Sequence, residues 1–276
     1  MNSELRSQSP EQSPALSRLT LRFDAEALLH EARALGQNEW VTHFNTGYHD
    51  GGWAGVALRA ANGEAGRLYP DMSQKSVISD TPTLAGCPAI QAALNQFHCP
   101  FRAVRLLRLA AGSYIREHRD DDLRFELGEA RLHIPLVTHP SVEFYVDGER
   151  VIMEEGECWY LDLSRPHRVR NPSPIERIHL VIDCQVNDWL RAAIAAGDVP
   201  QRQAAAPSGR DHFLAFREQV WGDASLQRTL LALTDKEQFI NEVVKLGAAR
   251  HLYFGSDDVD SAMTQSRQQW LSQWSM

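Results

Sequence analysis

"ARLHIPLVTHPSVEFYVDGERVIMEEGECWYLDLSRPHRVRNPSPIERIHLVIDC", residues 130–184, decides the fold. Short runs rich in β-branched and aromatic residues ("ARLHIPLV", "VEFYV", "ERVIM", "ECWYLDL", "HRVRN", "RIHLVID") alternate with turn-forming residues. Asp147-Gly148 between "VEFYV" and "ERVIM" is the strongest turn signal, because both residues tolerate the positive φ that a tight hairpin demands. Side chains alternate along a strand, so in "RIHLVID" Arg177, His179 and Val181 share one face while Ile178, Leu180 and Ile182 share the other. In "ARLHIPLV", Arg131 and His133 likewise lie opposite Leu132, Ile134 and Leu136. Two strands thus present Arg and His together, as the polar interior of a barrel requires. Upstream, "RLLRLAAGSYI" (105–115) adds a further run, and many short antiparallel strands at this spacing imply a sandwich, jelly roll or barrel.

Working outward, residues 17–100 are mixed. "DAEALLHEARALG" (24–36) has apolar positions at helical spacing and ends on Gly36, read as a helix stop; "CPAIQAALNQF" (87–97) is a second helix. "HFNTGYHDGGWAGVALRA" (43–60) reads as a glycine-punctuated loop feeding a strand. The expected class is mainly β with flanking helices. After about residue 195 the chain turns small and polar, with "QRQAAAPSGR" (201–210) reading as a linker. The expected organisation is a disordered N-terminus at 1–16, a β domain with N-terminal helices at 17–195, a linker at 196–210 and a helical domain at 211–276. In that last domain Thr234 and Glu237 read as a capping box, Gly247 as a helix stop, and Ser256, Asp257 and Asp258 as a charged helix start. Val259, Ala262, Met263, Ser266, Trp270 and Trp274 follow at helical spacing, a packing face.

Composition narrows the function classes. The chain has 276 residues, 43% of them apolar, enough for a sizeable core. A net charge of −8 disfavours a phosphate-tracking surface, so no nucleic-acid partner is expected. No apolar run approaches the roughly 20 residues of a membrane span, and the N-terminus lacks a basic start followed by an apolar core, so the expected location is cytoplasmic. The four cysteines form no CxxC pair, which argues against a structural zinc site.

His118, Asp120 and His167 offer two imidazoles and one carboxylate, a set that leaves positions open on a divalent metal such as non-haem Fe(II). An HxD alone is a weak signal and reads equally as a solvated loop. Here it follows one β-run, His167 opens another, and Arg177 stands ten residues further on, at the head of "RIHLVID". This is the sequence pattern of the Fe(II)/2-oxoglutarate dioxygenases. Arginine suits the distal carboxylate of 2-oxoglutarate because it is planar, permanently cationic and bidentate. Asp121 and Asp122 read as solvated acids. His139 and His179 read as structural or substrate-lining, since hydroxylation at an iron centre needs no protein base. His43, Asn45, Tyr48 and Trp53 mix hydrogen-bonding and aromatic groups on one loop and are candidate substrate contacts.

The run from "HFNTGYHDGGW" through "SYIREHRDDDLRFELGEARLHIPLV" to "RPHRVRNPSPIERIHLVIDCQVNDWL", about residues 40–190, resembles the bacterial aspartyl/asparaginyl β-hydroxylase family, relatives of the proline hydroxylases. The resemblance implies a double-stranded β-helix core of cupin-like jelly-roll type. It also implies Fe(II), 2-oxoglutarate as cosubstrate, O2, and a hydroxylation releasing succinate and CO2. By position His118, Asp120 and His167 match the iron ligands, Arg177 the cosubstrate-binding arginine, and Arg131 and His133 motif positions associated with cosubstrate contact. Vertebrate members lack the carboxylate ligand; this chain keeps Asp120, so the family does not fix the substrate. An amino acid or an aspartyl- or asparaginyl-type residue of a peptide is expected. The competing reading is a non-catalytic cupin-like metal-binding sensor or binding module, against which Arg177 weighs. The C-terminal run "FLAFREQVWGDASLQRTLLALTDKEQFINEVVKLG" resembles the nif-type leader-peptide domain. Standing at the wrong end for a leader, it reads as a module that docks a protein or peptide, or self-associates.

Overall fold

The computed structural model describes residues 14–45, 48–70, 76–199, 209–250, 252, 254–256, 258–260 and 262–263. Strands β1 (Leu16–Arg22), β2 (Val41–Thr42), β3 (Trp53–Ala61), β4 (Ile78–Asp80), β5 (Phe101–Leu109), β7 (Glu129–Val137), β10 (Glu157–Leu161) and β12 (Arg177–Gln185) form one antiparallel sheet. Its order is β1-β10-β7-β12-β5-β3-β2, with β4 on β3. A smaller sheet, ordered β6-β11-β8-β9, holds β6 (Tyr114–His118), β8 (Glu143–Val146), β9 (Glu149–Arg150) and β11 (His167–Arg170). From β5 onward the chain shuttles between sheets: β5, β7, β10 and β12 enter the larger, and β6, β8 with β9, and β11 the smaller. That winding is the double-stranded β-helix.

The alternation of side chains decides what each face meets. Leu132, Ile134, Leu136, Ile178, Leu180 and Ile182 pack with Leu28, Ile90 and Leu94 of the N-terminal helices. The reverse face contributes Leu107, Leu109, Trp159, Leu161 and Val181 to a second core, shared with Ile115, Phe144, Val146 and Val169 of the smaller sheet. Arg131, His133, Arg177 and His179 are on this inner side, as the parity of their strands requires.

Local chemistry sets the connections. Asp147 (φ 52°) and Gly148 (φ 78°) turn β8 into β9. The run 105–115, read as one stretch, breaks: β5 ends at Leu109 and β6 begins at Tyr114, with Gly112 at φ 78° between them. Buried Asn171 pins this turn, its Nδ2 donating to the carbonyls of Leu109 (3.1 Å), Ala110 (3.1 Å) and Ile175 (2.8 Å). Helix α1 (Ala25–Ala34) starts on Asp24, whose Oδ1 accepts from Ala27 N at 3.0 Å. It ends at Ala34, just before Gly36, whose φ of −63° is not the left-handed cap and leads into a 3₁₀ turn at Gln37–Glu39. The short α2 (Pro82–Ala85) precedes α3 (Pro88–Leu94), whose N-terminal amides Ala89 N and Ile90 N donate to Glu31 of α1 at 2.7 and 2.9 Å. Helix α4 (Asp188–Ala195) follows β12.

The chain divides into two compact units, 1–204 and 205–276. In the second, α5 (Gly209–Gly222), α6 (Ala224–Leu231) and α7 (Lys236–Ala248) enclose Phe213, Phe216, Leu226, Leu230, Val243 and Phe254. The cap of α7 is Asp235, accepting from Gln238 N at 2.8 Å, rather than Thr234. Gly247 lies within α7 and serves packing: a Cβ there would sit 2.4 Å from the Phe254 ring. Residues 1–13, 200–208 and the aromatic positions Trp270 and Trp274 lie outside the described residues. Among the described residues no helix is long and apolar enough to cross a membrane.

Candidate metal centre

His118 closes β6 and His167 opens β11, and antiparallel pairing sets the two opposite one another, ring centroids 4.1 Å apart. Asp120 lies two residues past His118, held by its backbone N–H donating to Leu163 O at 2.9 Å. One ligand atom from each of the three residues lies within 4.8 Å of the others. The two imidazoles share a tautomer. Nδ1–H of His118 donates to Arg116 O (2.8 Å) and Nδ1–H of His167 to Arg165 O (3.0 Å), since a carbonyl only accepts. With Nδ1 so engaged, Nε2 is the ring nitrogen each histidine turns to a metal. Burial, then the neighbouring His118, pushes His167 down to about 4, so it is neutral at ordinary pH. For Asp120 burial works upward, but Arg131, His167 and His118 outweigh it and hold the carboxyl below its usual range. Two imidazoles, each with Nδ1 tied to a backbone carbonyl, and one carboxylate are a donor set that fits a divalent transition metal.

Beyond the triad runs a chain of buried charge. Asp120 Oδ2 accepts from Arg131 Nη1 at 2.5 Å. Arg131 also donates through Nε to Asp183 Oδ1 (2.6 Å) and through Nη2 to Asp183 Oδ2 (3.1 Å). Arg105 Nη1 reaches the same Asp183 Oδ2 at 2.8 Å. Asp183 and Arg105 were not candidates from sequence. The available signal was parity, since Asp183 shares the inward face of β12 with Arg177, His179 and Val181.

Arg177 is different. It is buried, its Nη2 donates to His179 Nδ1 at 2.9 Å, its guanidinium lies 5.3 Å from the centroid of the Phe144 ring, and its Nε has no partner. Among the described residues no carboxylate pairs with it. Burial pushes its pKa down to about 9, the mark of a buried cation without a counter-charge. His133 lies beside this pair, its ring centroid 5.6 Å from that of His179, with Nε2 buried and unpartnered.

The 43–53 loop supplies one wall. Tyr48 stacks on His118 with centroids 4.8 Å apart. His43 is buried and stacks on Trp53 at 3.4 Å; burial, with Arg105 and Arg131 nearby, pushes it down to about 3. Asn45 enters through its backbone N–H, which donates to His43 Nδ1 at 3.4 Å. Asp121 and Asp122 are exposed, Asp121 facing Arg124 at 3.4 Å, and His139 pairs with the Ser141 hydroxyl at 2.7 Å.

Compared with known proteins, residues 20–186 match the family model described as Aspartyl/Asparaginyl beta-hydroxylase. L-Proline cis-4-hydroxylase of Rhizobium meliloti (strain 1021) is 27% identical over 246 residues, covering 86% of this chain and 82% of that one. Among solved structures, HygX from Streptomyces hygroscopicus with nickel and 2-oxoglutarate bound aligns at 13% identity. It covers 66% of this chain and 89% of that one, with a TM-score of 0.39. A 2OG-Fe(II) oxygenase family oxidoreductase from Burkholderia pseudomallei aligns at 17% identity over 57% of this chain and 77% of that one, with a TM-score of 0.38. At such scores the fold assignment rests on this chain's own strands and winding.

Proposed function

This chain belongs to the aspartyl/asparaginyl β-hydroxylase family and is an Fe(II)- and 2-oxoglutarate-dependent hydroxylase, and from that premise we propose how its residues divide the work and what it hydroxylates. His118 and His167, through Nε2, and Asp120, through one oxygen, hold Fe(II); the support is their shared geometry and the Nδ1 contacts that leave Nε2 as the nitrogen each histidine turns to the metal. When bound, Fe(II) supplies the oxidising chemistry with O2, as 2-oxoglutarate is decarboxylated to succinate and CO2 and one oxygen atom enters a C–H bond of the substrate.

The observation that carries the reading is Arg177, a fully buried guanidinium with no carboxylate partner among the described residues. Leaving a charge buried and unpaired costs several kcal/mol, so such a group implies an anionic ligand. The distal carboxylate of 2-oxoglutarate is that ligand. It pairs with the guanidinium in two-pronged fashion, while His133, with its open Nε2, lines the same space. Arg131 commits three of its N–H groups to Asp120 and Asp183; the two that remain would be its donors to the cosubstrate. Tyr48 on His118, and His43 with Trp53, border the substrate, with Asn45 on the same loop. A metal-binding sensor has no need of an arginine held in this way.

The substrate is an amino acid or an aspartyl- or asparaginyl-type residue of a peptide. The test is anaerobic Fe(II)-loaded protein given 2-oxoglutarate and panels of free amino acids and peptides, then O2, with mass spectrometry for a product heavier by one oxygen atom. Arg177→Lys keeps the charge but loses the fork, so the apparent 2-oxoglutarate affinity falls about tenfold or more while metal binding survives. Unchanged affinity removes Arg177 from the cosubstrate site.

A further inference from the structure

Asp183 is a fully buried carboxylate outside the triad and the cosubstrate residues. It stands on β12 directly opposite Arg131 of β7 in the antiparallel register. Both of its oxygens are used: Oδ1 accepts from Arg131 Nε, and Oδ2 accepts from Arg131 Nη2 and from Arg105 Nη1. A two-pronged grip of this kind fixes the plane of a guanidinium as well as its position. With Nε and Nη2 so held, the third nitrogen, Nη1, is aimed at Asp120 Oδ2. That contact occupies one oxygen of Asp120. The other, Oδ1, is turned toward the histidines, 3.8 Å from His118 Nε2.

We propose that Asp183 is a positioning residue for the metal site: with Arg105 as outer anchor it locks Arg131, which fixes Asp120 so that a single oxygen faces the metal. The inference rests on the reading of His118, Asp120 and His167 as metal ligands. The physical reason is the loop position of Asp120, whose carboxylate is free to rotate or to bind through both oxygens unless one is tied elsewhere. Metal ligands are commonly oriented by such outer partners, and loss of one costs about ten- to a hundredfold in metal affinity. Asp183 also balances the charge of Arg131, while Arg105 holds Asp183 from the other side, so Asp120 meets a fixed donor rather than a mobile cation. The competing account is a purely structural ion cluster that ties β12 to β5 and β7.

The test uses full-length apo protein titrated with Co(II), whose visible absorption reports coordination, with thermal melting alongside. In Asp183→Asn, Co(II) affinity falls by about ten- to a hundredfold and the visible spectrum changes shape. In an Asp120→Asn background the same substitution shifts the remaining affinity by less than about twofold, because the route to the metal is gone, while the loss of melting temperature persists. Arg105→Gln gives the same pattern at smaller amplitude, and carries the test if Asp183→Asn does not fold. Equal weakening in both backgrounds, or a lower melting temperature with wild-type affinity and spectrum, overturns the positioning role. Co(II) binding by His167→Ala equal to that of the wild type overturns the metal-site reading itself.

Discussion

Asp120 and Asp121 are neighbours of the same chemistry in opposite surroundings. Asp120 is tied to Arg131 and shares a cluster with two histidines, whereas Asp121 is exposed and faces Arg124. Replacing His118 or His167 by alanine therefore lowers Fe(II) affinity by more than about a hundredfold, beyond the range seen for outer partners, while Asp121→Ala leaves it within about twofold. Metal titration of these three variants and of Asp120→Ala checks this; equal losses at Asp120 and Asp121 would show that the carboxylate assigned here is the wrong one. The grouping of His118, Asp120 and His167 was legible in the sequence because an HxD, a distal histidine and an arginine ten residues beyond form a pattern with a chemical reason. Arg131 was legible as a position but not in its partners. Its engagement with Asp183 depends on the register of β7 against β12, which no local pattern states. Tyr48 was a candidate for its loop and chemistry, yet its stacking on His118 is a fact of folding alone.

At the scale of the element, β12 and β7 carry a buried polar face with a pH signature. Burial, reinforced by Arg177, holds His133 and His179 well below their ordinary range, and burial holds His43 at about 3. Each folded value lies below the unfolded value near 6.5, so the unfolded chain takes up protons that the folded chain refuses. Their contribution is fully present above about pH 6.5 and is lost as pH falls below it. Each such histidine adds a slope of about 1.4 kcal/mol per pH unit inside that window. Asp183, depressed by Arg105 and Arg131 against the effect of burial, adds its own loss only below its unfolded value of about 4. Metal-free protein is thus expected to lose stability steadily from pH 6.5 to 4 and more steeply below. His179→Gln should flatten the upper window by roughly one proton's worth, about 1.4 kcal/mol per pH unit. Denaturant titrations across pH check this, and an unchanged slope would mean that His179 is not held neutral in the fold. The alternation that builds this face was readable in "RIHLVID" and "ARLHIPLV" because strand parity is local. Glycines were read unevenly: α1 does end just before Gly36, though without a left-handed turn, whereas Gly247 lies within α7 and makes room for Phe254, and sequence cannot separate a turn glycine from a packing glycine.

At the scale of the whole molecule, the polar stretch before residue 210 marked a division, and the chain does separate into units 1–204 and 205–276. The first holds both faces of the large sheet, the small sheet, the candidate ligands, Arg177 and the Arg105–Asp183–Arg131 chain. The second has its own core around Phe213, Phe216 and Phe254. Segments with separate cores fold separately when few contacts cross between them. We therefore propose that a chain ending at residue 204 folds, binds Fe(II) and still turns over 2-oxoglutarate, melting within a few degrees of the full-length protein. Exposed Trp221 and Leu231 on α5 and α6 are apolar groups that a docking or self-associating module would use. Deleting the module should then lower turnover of peptide substrates, or dissociate an oligomer, while leaving free amino acids handled as before. Thermal melting, sedimentation and parallel turnover of amino acids and peptides on both proteins decide it. A truncated chain that aggregates or binds no iron would make the helices a structural part of the enzyme, and equal turnover of every substrate with an unchanged oligomeric state would remove the docking role.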